Sequence, residues 1–108
     1  MRYETKEICG ILVVALAGEV DLESSPGARQ VLLECLERDM TLLVDMSSVT
    51  YIDSSGVASL VEALQNARKR GLDFALVAVS EAAGRVLQLA RLDKVFTIHE
   101  TLEDGLAA

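Results

Sequence analysis

Asp53-Ser54-Ser55-Gly56 stands between two stretches of different periodicity, and its reading decides the fold. Upstream, Thr41-Leu42-Leu43-Val44-Asp45-Met46 is apolar nearly throughout, as a strand covered on both faces of a sheet would be. Downstream, Val57, Leu60, Val61, Leu64 and Ala67 recur at helical spacing. Arg68-Lys69-Arg70 then places cations where a helix ends, and Gly71 stands where a left-handed cap is wanted. The four residues are therefore the hinge of a strand-loop-helix unit. They set two hydroxyls at a helix N-terminus near the carboxyl end of the preceding strand, where open α/β sheets place their sites.

Towards the N-terminus, residues 2 to 8 form a mixed polar strand, broken by Cys9-Gly10 before the apolar run Ile11-Leu12-Val13-Val14-Ala15-Leu16-Ala17. So short a break predicts a hairpin, with the first strand antiparallel and at an edge. Gly18-Glu19-Val20-Asp21 reads as the turn that ends the second strand. Ser24-Ser25-Pro26 opens a helix, with Ser at the cap and Pro in the first helical position, that runs to about Arg38. Beyond the central unit, Leu72–Val79 reads as a strand and Ser80 caps a helix striped by Ala83, Val86, Leu87 and Ala90. Lys94-Val95-Phe96-Thr97-Ile98 is a last short strand, and Thr101-Leu102-Glu103-Asp104 resembles a capping box opening a terminal helix that frays. The order β-β-α-β-α-β-α-β-α predicts one α/β domain with parallel neighbours, right-handed crossovers and one antiparallel opening pair.

At 108 residues the chain is one domain with a core of its own. A hydrophobic fraction of 51% with 25% charged residues argues against disorder, and two Tyr, two Phe and no Trp require an aliphatic core. The net charge of -7 argues against nucleic acid or an anionic membrane surface as partner. Cys9 and Cys35 lack metal-like spacing and read as reduced, buried thiols. Met1–Glu7 leads into no long apolar stretch, and nothing approaches the ~20 apolar residues of a membrane span. A cytoplasmic domain is expected, a monomer or weak dimer between encounters.

Enzyme chemistry finds little footing. Gly-x-Ser-x-Gly is absent around Ser54, and the lone histidine, His99, follows the last strand far along the chain. One His, two scattered Cys and carboxylates on helix faces make no closed metal set, and no phosphate-cradling glycine loop is present. What remains is the hydroxyl pair. Plain helix capping is the simpler account of it. A phosphoacceptor is the sharper one: a phosphate on Ser54 adds about -1.5 to -2 charges beside the positive end of a helix dipole. Asp53 adjoins it, and Asp21 ends a strand that lies alongside the central one, so the modified state differs electrostatically without unfolding. Both accounts stay open, since the same geometry caps and exposes.

Gly18-Glu19-Val20-Asp21, then Val44-Asp45-Met46 leading through Val49-Thr50-Tyr51-Ile52 into Asp53-Ser54-Ser55-Gly56, resembles the STAS domain of bacterial anti-sigma factor antagonists. Leu87-Gln88-Leu89-Ala90-Arg91-Leu92-Asp93-Lys94-Val95-Phe96 and Ile98 fit the closing segment of that family, with Val57-Ala58 replacing its more usual leucine-glycine. The resemblance implies a four- or five-stranded mixed sheet flanked by about four helices. It implies partner switching: the unmodified domain binds an anti-sigma factor that is also a serine kinase with a histidine-kinase-like ATPase fold, and sigma factor is freed. Phosphorylation of Ser54 breaks that complex, and a phosphatase, of the PP2C type, restores it. By position, Ser54 is then the phosphoacceptor, and Asp21, Asp53, Ser55 and Gly56 frame the site and contact the kinase. ATP and magnesium belong to the kinase, and no cofactor belongs to this chain. A STAS subunit of a lipid or anion transport system, or of another signalling assembly, is the alternative.

Overall fold

The computed structural model describes all 108 residues. Strands β1 (Arg2–Ile8), β2 (Ile11–Val20), β3 (Leu42–Ile52), β4 (Phe74–Val77) and β5 (Thr97–His99) form one sheet in the order β1-β2-β3-β4-β5. Only β1 runs antiparallel to its neighbour. Helices α1 (Ser25–Leu36), α2 (Ser54–Arg70) and α3 (Glu81–Leu89) are the crossovers, and α4 (Leu102–Ala107) closes the chain. The element order and the mixed sheet are those expected from the sequence.

Because each parallel strand is added on the same side of the last, right-handed crossovers must lay α1, α2 and α3 on one face of the sheet. The core lies there: Leu12, Val14 and Leu16 of β2 and Val44 and Met46 of β3 meet Leu32, Leu36, Leu60 and Leu87 of the helices, all almost completely buried. Burying each of these side chains is worth about 1.5–3 kcal/mol. The opposite face carries a smaller cluster, Val13, Leu43, Ala75 and Val77, covered by Leu102 and Leu106 of α4.

Several boundaries differ from the sequence reading, each for a local reason. Strands β2 and β3 outlast their apolar runs, to Val20 and Ile52, past Ala17 and Met46. Irregularities between Ala15 and Ala17 and between Gly18 and Glu19 keep the pair in register through polar residues, while Val49 and Ile52 still point into the core. Strand β4 is shorter than Leu72–Val79 because Ala78 turns left-handed (φ 51) and donates its N–H to the His99 carbonyl at 3.1 Å. Residues 94–96 are not strand but turn: Val95 and Phe96 donate back to the Leu92 carbonyl, and the Phe96 ring packs 6.4 Å from that of Phe74. Helix α1 stops at Leu36, two residues before Arg38, where Arg38 and Asp39 bond back into a turn and Asp39 takes φ 55.

Cys9 is a further correction. It is exposed in the two-residue hairpin turn, at φ 50 beside Gly10 at φ 78, because a turn matching the sheet twist needs positive φ at both positions. Cys35 is buried as expected, and burial pushes its thiol above the ordinary range. In native protein a thiol reagent is therefore expected to modify one cysteine, Cys9, at once, and Cys35 only after denaturation. Mass spectrometry with peptide mapping checks this, and equal labelling rates would contradict it.

Candidate functional site

Val20 and Ile52 lie side by side as the last paired residues of β2 and β3, so the turns that follow both strands emerge together. Asp53 leaves β3 in an extended conformation (φ -112, ψ -172) and donates its N–H to the Val20 carbonyl at 3.3 Å. Its side chain then serves both turns. One carboxylate oxygen accepts from the N–H groups of Ser55 (2.9 Å) and Gly56 (3.1 Å), capping α2. The other accepts from the N–H of Leu22 at 3.0 Å, in the turn after β2.

Asp53 is thus the cap of α2, and Ser54 is not. Ser54 occupies the first helical position and is exposed. The reading of the Ser pair as capping residues is corrected accordingly. An N-cap needs an extended backbone and an acceptor aimed at the N–H groups two and three residues on. Asp53 has both, and Asp serves as well as Ser in that position, a signal already present in the sequence. Ser55 is half-buried, and its carbonyl accepts from the Ser59 hydroxyl at 3.2 Å. That hydroxyl also lies 3.1 Å from the Ser25 carbonyl, which ties α2 to α1.

Gly56 is buried under the turn. A Cβ there would stand 2.4 Å from the Val20 carbonyl oxygen and 2.7 Å from Ile52 Cγ1, so only glycine lets α2 approach β2 this closely. Asp21 is held within its own turn: one oxygen accepts from the N–H groups of Glu23 (3.1 Å) and Ser24 (3.0 Å) and meets the Ser24 hydroxyl at 3.1 Å. The bonds from Ser24, backbone first and hydroxyl second, hold the Asp21 carboxyl below the ordinary aspartate range. Helix α1 begins one residue earlier than expected: Ser24 precedes it and Pro26 is its second residue, not its first. The Ser24 hydroxyl, which also lies 2.9 Å from the Glu19 carbonyl, caps no helical N–H.

All five residues singled out in the sequence, Asp21, Asp53, Ser54, Ser55 and Gly56, therefore meet at one end of the sheet. Leu22 was not among them. It is 74% exposed there, on a backbone held by Asp53, and Tyr51 is half-exposed nearby on β3. His99 is not brought to the site. It pairs with Val77, which pairs with Asp45, and β3 runs seven residues further to Ile52, about 20 Å along the strand. No three His, Cys, Asp or Glu side chains converge on a common point. No helix is long and apolar enough to cross a membrane.

These features define a class: a small α/β domain with a five-stranded mixed sheet, whose central strand-to-helix turn presents a serine at the start of a helix. The chain belongs to the STAS domain family, whose pattern matches residues 2–105. Among its relatives, the anti-sigma-B factor antagonist of Bacillus subtilis (strain 168) is 29% identical over 106 residues, covering 98% of this chain and 97% of that one. The anti-sigma-F factor antagonist RsfB of Mycobacterium tuberculosis (strain ATCC 25618 / H37Rv) is 29% identical over 98 residues, covering 90% of this chain and 80% of that one. The crystal structure of an anti-sigma factor antagonist from Mycobacterium paratuberculosis superimposes with a TM-score of 0.90 at 28% identity, over 98% of this chain and 91% of that one.

The division of labour at the turn separates three substitutions. Asp53→Ala loses the cap and the Leu22 tie together and is expected to cost about 2–3 kcal/mol. Gly56→Ala forces α2 away from β2, for about 1–3 kcal/mol. Ser54→Ala changes stability by no more than about 0.5 kcal/mol. Chemical denaturation of the three variants checks the order, and a Ser54→Ala loss matching that of Asp53→Ala would overturn the assignment of the cap. For Asp21, whose folded pKa is depressed, the stabilising contribution is present above the unfolded pKa and is lost as pH falls through the lower folded value. The gap in denaturation midpoint between the wild type and Asp21→Ala should hold at neutral pH and narrow below about pH 4.

Proposed function

We propose that this domain is an anti-sigma factor antagonist that works by partner switching. Unmodified, it binds an anti-sigma factor that is also a serine kinase, and the sigma factor is released. Phosphate on Ser54 abolishes that binding, and a PP2C-type phosphatase reverses the modification. The observation that carries the reading is the freedom of Ser54. It is exposed on the first turn of α2 while Asp53 does the capping, so its hydroxyl can be modified without dismantling the helix start. The names of the relatives support the general role.

Electrostatics supports the switch as well. A phosphate at the start of α2 is tolerated by the helix dipole, so the fold survives modification. A partner docked on the same turn meets a strongly hydrated dianion beside Asp53, in a chain whose net charge is already -7. Desolvating that group opposes binding. Asp21, Asp53 and Ser55 shape the contact surface around Ser54, and Gly56 sets the height of the turn from beneath.

The test is intact mass and peptide mapping after incubation with ATP, magnesium and the kinase-like protein encoded beside this chain. One phosphate on Ser54, with loss of the complex, is the expected result. Ser54→Ala should bind the kinase and accept no phosphate, while Ser54→Asp should bind at least about tenfold more weakly. Undiminished binding by Ser54→Asp would overturn the electrostatic account. Absence of modification, together with a stable complex with an ABC-type ATPase, would move the domain to the transport-subunit reading.

A further inference from the structure

The two edges of the sheet are unlike. Strand β5 is three residues long, so that edge offers little to pair with. Strand β1 is seven residues long, is exposed over nearly its whole length, contains no proline and pairs with β2 without a register shift. Edge strands are ordinarily blunted by shortness, proline, bulges or unmatched charge, because their free N–H and C=O groups invite another strand. Of these devices β1 has only charge, in Arg2, Glu4, Lys6 and Glu7.

That charge is arranged with a symmetry. Antiparallel pairing matches residues whose main-chain groups point the same way, so across a two-fold axis the partners are both even-numbered or both odd-numbered. An axis at Glu4 sets Glu4 against Glu4 and Arg2 against Lys6. An axis at Lys6 sets Lys6 against Lys6. An axis at Thr5 sets Glu4 against Lys6 twice, Arg2 against Ile8, Tyr3 against Glu7 and Thr5 against itself, with no like charges opposed. The faces agree. Arg2, Glu4 and Lys6 stand opposite Ala17, Ala15 and Val13, on the sheet face that α1, α2 and α3 do not cover, so both Glu4–Lys6 pairs form in the open. Tyr3, Thr5 and Glu7 stand opposite Leu16, Val14 and Leu12 on the helical face, where Glu7 already meets Arg38 of α1 at 3.0 Å.

We propose that β1 is a self-pairing edge, and that a second copy of this chain adds its own β1 antiparallel about a two-fold axis at Thr5. The two five-stranded sheets then continue as one. The contact is narrow, and a net charge of -7 on each copy opposes it, so the association is weak and reversible. It uses no residue of the Asp53–Gly56 turn and does not depend on the function proposed above.

Sedimentation equilibrium over a range of concentrations tests the proposal through its register. The wild type should show a monomer–dimer equilibrium. Lys6→Glu turns both cross-strand attractions into repulsions and should raise the dissociation constant at least about tenfold. The double variant Glu4→Lys with Lys6→Glu restores opposite charges and should restore the dimer. An equimolar mixture of Lys6→Glu with Glu4→Lys should associate more tightly than either variant alone. Circular dichroism confirms that each variant is folded. A wild type that stays monomeric to about 1 mM would overturn the proposal. So would a dimer indifferent to Lys6→Glu, or one that the double variant fails to rescue.

Discussion

The two oxygens of the Asp53 carboxylate are claimed by different parts of the chain, and the Ser54 end of the domain is built on that split. One starts α2 by holding the N–H groups of Ser55 and Gly56, and the other holds the N–H of Leu22 in the turn after β2. Hydrogen bonds to a charged acceptor are stronger than neutral ones, although here one is exposed and two are only partly buried. The effect is positional as much as energetic. Ser54 lies between anchored neighbours and is relieved of capping, so its hydroxyl faces solvent from a fixed backbone.

Beneath that turn, the constraint is space. Gly56 lets α2 lie against the Val20 carbonyl, and the Ser59 hydroxyl secures the same helix to the start of α1. The ion pair between Arg29 of α1 and Glu62 of α2 adds to this contact from the outside, raising the one pKa and lowering the other. Both partners are about half exposed, so solvent screens the pair and its contribution is small. The site is therefore held by packing and by the hydrogen bonds of Asp53 and Ser59, with the surface ion pair a minor contribution.

The one-directional strand order has a second consequence. All three crossover helices crowd one face, and the other is closed only where α4 can reach. Helix α4 lies close because Gly105 carries no side chain: a Cβ there would stand 2.7 Å from Val77 Cγ1. Beside α4 the open face runs out to β1 through Ala15 and Ala17, small residues that expose little apolar surface. An acidic chain with one helical face and one mostly open face presents different chemistry on each side, and the Ser54 turn belongs to neither. It projects from the end of the sheet.

Much of this was legible in one dimension, because it depends on periodicity and on local backbone chemistry. Apolar runs marked the strands, helical spacing marked α2 and α3, and Gly71 and Ser80 marked their ends, so element order and fold class followed. The ends of β2 and β3 were not legible, since past Ala17 and Met46 their pairing is carried by each other and not by any apolar pattern of their own. Cys9 was misplaced because its apolar neighbours belong to two strands of a hairpin whose turn itself faces water. At the site, the sequence by itself determined that Asp53, Ser54, Ser55 and Gly56 would gather at the hinge, because strand, turn and helix are contiguous there. Only the tertiary structure decided what each one does. Whether Asp53 or Ser54 caps, whether Gly56 is exposed or wedged against β2, and whether Leu22 stands beside the serine all depend on how closely two turns 30 residues apart in sequence pack together, and that closeness is a property of the assembled sheet.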